Sequence, residues 1–220
     1  MPFEGFSQKT IDFMWDIRFN NNKPWFEAHK AAYQRDLLAP MKALGQEVFA
    51  RVSETYGGRG FVHKVSRIYK DARRNHGDGP YRDHLWFSIE KPSEEWTRTP
   101  TFWFELSPDS WSYGLGYYQA RAETMAKLRA RIDHNSKAFE KFVAPLAAQD
   151  EFTLDGDAYK RKKQAPTPKT EAWYNKKTFS LIHQGQIEDA LFSPELAVRI
   201  TGGFAFLMPF YDYFSALDAD

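Results

Sequence analysis

"TFWFELSPDSWSYGLGYYQ", residues Thr101 to Gln119, alternates with a period of two on both sides of a turn. Phe102, Phe104 and Leu106 alternate with Trp103, Glu105 and Ser107. Beyond "SPDS", Tyr113, Leu115 and Tyr117 alternate with Ser112, Gly114, Gly116 and Tyr118. Successive side chains of a strand point to opposite faces, so the pattern predicts two half-buried strands. A connection this short joins antiparallel strands, because parallel ones need a long crossover.

The same reading extends towards the N-terminus. In "HLWFSIE" (84–90), Leu85, Phe87 and Ile89 alternate with His84, Trp86, Ser88 and Glu90. In "VHKVSRIYKD" (62–71), His63, Val65, Arg67, Tyr69 and Asp71 alternate with Val62, Lys64, Ser66, Ile68 and Lys70. "NHGDGP" and "KPSEEWTRTP" supply turn residues between the runs. The Leu/Phe/Ile faces should lie under helices. The opposite face should gather Arg67, Tyr69, Asp71, His84, Trp86, Trp103, Glu105, Gly114, Gly116 and Tyr118.

Helices flank this region. Ser7 is suited to cap a first helix, and Asn22 a second with Pro24 in its first turn. Trp25, His29 and Tyr33 share one helical face, which reads first as a helix-to-sheet packing surface. Pro40 should kink or split that helix, and "YGGRG" (56–60) should end it. After the strands, one helix is expected from about Ala120 to Leu146. "DEFTLDGDAYKRKKQAPTPKT" reads as an irregular connection and "EAWYNKKTFSLI" as a short helix. Ser193 and Pro194 should start a terminal helix interrupted by Gly202, Gly203 and Pro209. The expected fold is α+β, with an antiparallel sheet of about four or more strands and helices mainly on one face. It forms a single domain over 1–220: N-terminal helices at 7–55, a sheet region at 61–119 and a C-terminal helical region at 120–217.

The 220 residues are 42% hydrophobic, enough for one sizeable core. The formal charge is +1, so attraction to nucleic acid or to an anionic membrane would have to come from local patches. There is no cysteine, which excludes disulfides, thiol catalysis and Cys-based zinc sites and fits a reducing compartment. "MPFEGFSQKT" lacks the basic and apolar regions of a signal peptide, and no apolar run approaches the length of a membrane span. A cytoplasmic protein is expected. No metal site is expected: the histidines form no H-E-x-x-H and no helical i, i+4 pair.

"RIYKDARRNHGDGPYRDH" (67–84) concentrates the chemistry-bearing residues. Arg67, Arg73 and Arg82 offer planar charged forks suited to phosphate or carboxylate. Trp86, Trp103, Tyr69 and Tyr81 offer stacking surfaces. Gly114 and Gly116 would let a ligand approach the backbone. Asp71, His84 and Glu105 can transfer protons beside a substrate. Each also has a plainer reading: Asp71 in an ion pair, His84 as a polar strand end, the glycines as a bend. Lys160 and Arg161, within "YKRKK" (159–163), form a second basic cluster that would add its charge to the arginines if it folded over the sheet.

"FNNNKPWFEAHKAAY", "RIYKDAR" followed by "GPYRDH", "GLGYYQ" with "LRARI", and "YKRKK" before "WYNKKTF" stand in one order along the chain. In this the sequence resembles an uncharacterised bacterial family, domain of unknown function 2461. The resemblance implies a single α+β domain and implies no activity. The family-like positions are Asn22, Trp25, Phe26, His29, Lys30, Arg67, Tyr69, Asp71, Arg73, Pro80, Tyr81, Arg82, Gly114, Gly116, Lys160 and Arg161. One departure is the lysine usual in that family before the Pro-Tyr pair, where this chain has His76 and Asp78 instead.

The functional expectation is a phosphate-bearing or otherwise anionic small molecule in a cationic, aromatic pocket, with hydrolysis or phosphoryl transfer as the associated chemistry. The alternative is a non-enzymatic nucleic-acid- or protein-binding module using segments 67–84 and 160–163. Neither reading specifies a cofactor.

Overall fold

Alternation along the strands and 3.6-residue periodicity around them build a helix-flanked sheet. The computed structural model describes residues 2–71, 77 and 79–219. In order, α1 is Gln8–Phe19, α2 Lys23–Ala32 and α3 Ala39–Tyr56, followed by β1 Val62–Val65, β2 Leu85–Glu90, β3 Thr101–Leu106 and β4 Ser110–Gly116. Then come α4 Ala122–His134, α5 Ser136–Ala147, β5 Thr153–Asp155, α6 Glu171–Tyr174, β6 Ser180–Gln186 and α7 Glu195–Ala219. The six strands form one antiparallel sheet in the order β1-β2-β3-β4-β6-β5. No helix among the described residues is long and apolar enough to cross a membrane.

The expected apolar face is the buried one. Leu85, Phe87, Ile89, Phe102, Phe104 and Leu106 are fully buried, while Trp86, Trp103 and Glu105 at the alternate positions are half-buried. Internal contacts divide the chain into two compact units: residues 1–89, 103–113 and 184–205, and residues 90–102, 114–183 and 206–220. In the first, Phe87 and Trp111 both pack on Phe104, and Tyr113 meets Phe204 of α7. In the second, Phe179 is enclosed by Tyr117, Trp173 and Phe214.

Several elements depart from the sequence-based expectation. The run 62–71 is not one regular strand: β1 ends at Val65. Ser66 N–H bonds to Trp86 O and Arg82 N–H to Ile68 O, so a two-residue step on one arm faces a four-residue step on the other. The extra residues lie on the Arg82–Trp86 arm and interrupt the ladder between β1 and the hairpin end. The arms do close again as a hairpin, with Tyr69 bridging Tyr81 and Lys70 N–H bonded to Pro80 O.

"EAWYNKKTFSLI" is helical only at Glu171–Tyr174, and its end begins β6; the segment read as irregular contains β5. The helix expected over 120–146 breaks at Asn135, whose side chain accepts from Ala138 N–H to cap α5. α7 runs unbroken through Gly202, Gly203 and Pro209. Seven buried apolar side chains from Phe204 to Leu217, beyond its glycines, supply the tertiary packing that overrides these weak formers.

Pro40 acts as expected, but as a π-helical turn, Tyr33–Leu38, ahead of α3. Proline has no N–H for the carbonyl four residues earlier. That carbonyl, Asp36 O, instead accepts from the Thr10 hydroxyl at 2.6 Å, and Thr10 Oγ1 itself accepts from Ser7 N–H.

His63 on β1 packs between Phe49 and Phe87 and directly under Gly45 of α3. Its buried Nε2 has no hydrogen-bond partner among the described residues, and burial pushes its pKa down. As pH falls, the unfolded chain takes up this proton near 6.5 and the folded one only lower. The stability His63 allows is therefore complete above about pH 6.5 and is lost as pH drops towards the depressed folded value. Urea midpoints should fall more between pH 7.5 and 5 in the wild type than in His63→Leu; parallel losses would show that His63 does not titrate differently on folding.

Candidate functional site

The site is assembled by the N-terminal asparagines and the hairpin arms. Asn20 Nδ2 donates to Asp16 O at the end of α1, and Asn22 Oδ1 caps α2 by accepting from Trp25 N–H at 3.0 Å. Between them, Asn21 grips Tyr81 at both backbone groups: Tyr81 N–H donates to Oδ1 at 2.9 Å, and Nδ2 donates to Tyr81 O at 2.8 Å. Gly79 (φ +82°) lies so close to Asn21 that a Cβ would collide with it. Phe26 of α2 then stacks on Tyr81 at 4.2 Å and meets Tyr69 edge-on at 5.9 Å.

The expected cationic residues are used in different ways. Arg82 Nη1 donates to Arg67 O at 2.6 Å and to Tyr69 O, tying the two arms together, while its guanidinium lies 5.0 Å over Trp86. Burial and then repulsion from Arg67 lower the Arg82 pKa; Asp71 opposes this. Arg67 is exposed and Asp71 half-buried. Arg73, with His76 and Asp78, lies outside the described residues.

His84 has a partner that composition alone does not single out. Its Nδ1 lies 2.9 Å from Asp83 Oδ1, and its ring stacks on Trp86 at 5.8 Å. Arg18 of α1 donates to the other Asp83 oxygen at 2.5 Å and to Asp109 at 2.7 Å. Burial tends to raise the Asp83 pKa, but the bonds from His84 and Arg18 prevail and hold it below the usual carboxylate range. Asp83 thus stays ionised and fixes the His84 ring, leaving Nε2 as the position able to exchange a proton with a neighbour. The tautomer is set by this contact.

Other expected ligands have structural roles. Tyr81 is 2% exposed, held in the Phe26 stack and unable to offer its face. A Cβ on Gly116 would lie 2.6 Å from Phe179 O, and one on Gly114 would overlap Leu181 O. The space left by the missing side chains is therefore filled by β6, not by a ligand. Tyr69 is half-exposed at the hairpin. Trp103 and Glu105 sit on β3, and among the described residues their side chains make no hydrogen bond, ion pair or ring contact. Trp25, His29 and Tyr33 do form a packing face, but against α1: Trp25 and Tyr33 meet Phe13, and His29 lies 4.1 Å over Trp25. Burial, with the nearby Tyr69, raises the Tyr33 pKa to about 12. Lys160 and Arg161 belong to the second unit and are exposed.

The hairpin residues of the first unit thus come together as Arg67, Tyr69, Asp71, Arg82, His84 and Trp86, joined by Asp83 and Arg18. A search among curated proteins finds no match to the chain. The model of one family does match, over residues 9–213, and includes the asparagine run, the hairpin arms and the basic segment. The chain belongs to that family, described as conserved hypothetical protein (DUF2461).

Proposed function

We propose that the hairpin end of the first unit binds a phosphate-bearing or otherwise anionic small molecule, with His84 as its proton-handling group. The observation that carries this reading is the Asp83–His84 pair beside Arg82. A histidine oriented by an ionised carboxylate stands on the same tryptophan as a guanidinium, with exposed Arg67 close enough to depress the Arg82 pKa. Two close cations attract an anion, and a buttressed imidazole supports acid–base steps of hydrolysis or phosphoryl transfer. We further propose a bacterial, cytoplasmic setting, which the cysteine-free sequence fits.

Arg67→Ala is the cleanest test, because that side chain is exposed while Arg82 also ties the hairpin. Among phosphates, nucleotides and carboxylates screened by thermal melting, a true ligand at 100 times its dissociation constant stabilises by about 2.7 kcal/mol. Arg67→Ala should remove most of that shift and leave the unliganded melting temperature unchanged. Unchanged shifts in this variant would end the proposal. A steep log-log fall of affinity with salt, about one unit per phosphate contacted, would favour nucleic acid instead.

A further inference from the structure

The second unit contains a buried arginine that forms no ion pair among the described residues. Arg129 of α4 is 8% exposed, and its Nη1 is buried without a hydrogen-bond partner among the described residues. Its guanidinium lies 5.4 Å from the ring centre of Tyr159. Lys163 and Lys177 each place Nζ 5.9 Å from the same ring. Three cations therefore converge on one tyrosine, and among the described residues none of the three forms an ion pair. The ring quadrupole attracts them without cancelling their charge.

Three nearby acids have other hydrogen-bond or ion-pair partners. Asp133, one turn along α4, accepts from the Tyr174 hydroxyl at 2.9 Å. Glu171 pairs with Lys162 at 3.0 Å, and Glu140 accepts from Thr167.

The cluster is also held in place. Asn175 is 3% exposed; its backbone O accepts from Tyr159 N–H at 2.9 Å, and its Oδ1 accepts from Lys163 N–H at 2.8 Å. Lys177 N–H donates to Asp157 O at 2.7 Å. These bonds fix the backbones of "YKRKK" and "WYNKK" against each other, so the convergence is built by the fold. Lys163 and Lys177 are exposed, which places Arg129 at the closed end and the lysines at the open one. An open surface depression of about 320 Å³, lined by residues 163–168 and Glu171, lies beside Lys163.

A guanidinium nitrogen taken from water without a partner is costly, and two more cations around the same ring add to the cost. A dianion removes both penalties: it accepts two parallel hydrogen bonds from Arg129 and one from each lysine. We propose that Arg129, Lys163 and Lys177, arranged about Tyr159, form a second anion site that binds a phosphate group, free or as a monoester. It is independent of the hairpin site and shares no residue with it.

The test is titration of the full chain with inorganic phosphate, methyl phosphate and acetate at matched ionic strength, read by calorimetry and thermal melting. Phosphate should raise the melting temperature with saturation, and acetate should not. Lys163→Ala and Lys177→Ala should each weaken phosphate roughly ten-fold, the loss of one charge-assisted bond. Arg129→Met should abolish binding, and the two exposed lysines keep the result readable should that variant not fold. Arg67→Ala should leave this binding intact, which separates it from the hairpin site. Methyl phosphate binding as tightly as phosphate identifies a monoester ligand, and weaker binding identifies the free ion; both uphold the site. A phosphate response no larger than that of acetate, or an unaltered one in the double lysine variant, would overturn it.

Discussion

Replacing Phe104 by Ala should lower the unfolding free energy by about 3–5 kcal/mol, the usual cost of deleting a buried phenylalanine. Phe104 is fully buried on β3 and contacts three other rings: Phe6 at 6.1 Å, Phe87 at 5.6 Å and Trp111 at 6.0 Å. The substitution removes transfer free energy and leaves a cavity that rings from three separate segments cannot easily fill. The adjacent Trp103, half-buried on the alternate face, provides the internal control. Trp103→Ala should cost less although its side chain is larger, because less of it leaves water on folding. Urea denaturation with unchanged m values measures both. A Phe104→Ala cost below about 1 kcal/mol, the scale of surface substitutions, would mean that the faces of the sheet are assigned the wrong way round.

That face assignment was legible because the apolar residues of the central strands keep a period of two, although Ser88 and Glu90 on the other face of β2 are buried as well. β3 alternates half-buried and buried at all six positions, and Leu85, Phe87 and Ile89 repeat the apolar rhythm on β2. β6 was not legible for the same physical reason in reverse. Its sequence "SLIHQGQ" has a polar half and a glycine, so only Leu181 and Gly185 are buried, and they do not lie on one alternating set of consecutive apolar residues. Its strand state comes from pairing with β4 and β5, which no local window contains. The break at Asn135 and the unbroken α7 are likewise decided by tertiary contacts that override local propensity.

The site was legible in its residue types and not in its partnerships. Arginines and a histidine crowded around "GDGP" announced a hairpin end rich in charge, and Tyr69 does pair with Tyr81 there. The pairing that gives His84 its orientation continues to Arg18 and Asp109, which lie 65 and 91 residues apart from their partners in sequence. The irregular step between Arg82 and Trp86, opposite Ser66 to Ile68, was not legible either. In the second unit, "YKRKK" was visible as a charge run. Arg129 was visible only as one arginine of "LRARI", and nothing in a one-dimensional reading marks it as buried.

Gly114→Ala should be among the most damaging single-methyl additions in this chain, costing about 3 kcal/mol or more, at the upper end of overpacking substitutions. The glycine lies on β4 where β6 runs alongside, and the added Cβ would overlap Leu181 O, with Leu181 C at 3.0 Å and Ile182 Cα at 3.1 Å. All three are backbone atoms, so no rotamer change relieves the clash. The strands must separate, which weakens the hydrogen bonds that join β4 to the rest of the sheet. Gly202→Ala is the matched control. That glycine is exposed in the middle of α7, and its added Cβ meets nothing within 4 Å. There the methyl group should stabilise by about 0.4–1 kcal/mol, through the better helix propensity of alanine and the smaller freedom of the unfolded chain. The same chemical change should thus have opposite signs at two positions, and urea melts of the pair read the difference directly. Should Gly114→Ala melt within about 1 kcal/mol of wild type, β4 and β6 are not packed backbone to backbone. The space beside Gly114 and Gly116 would then be open to a ligand, as the sequence alone had suggested.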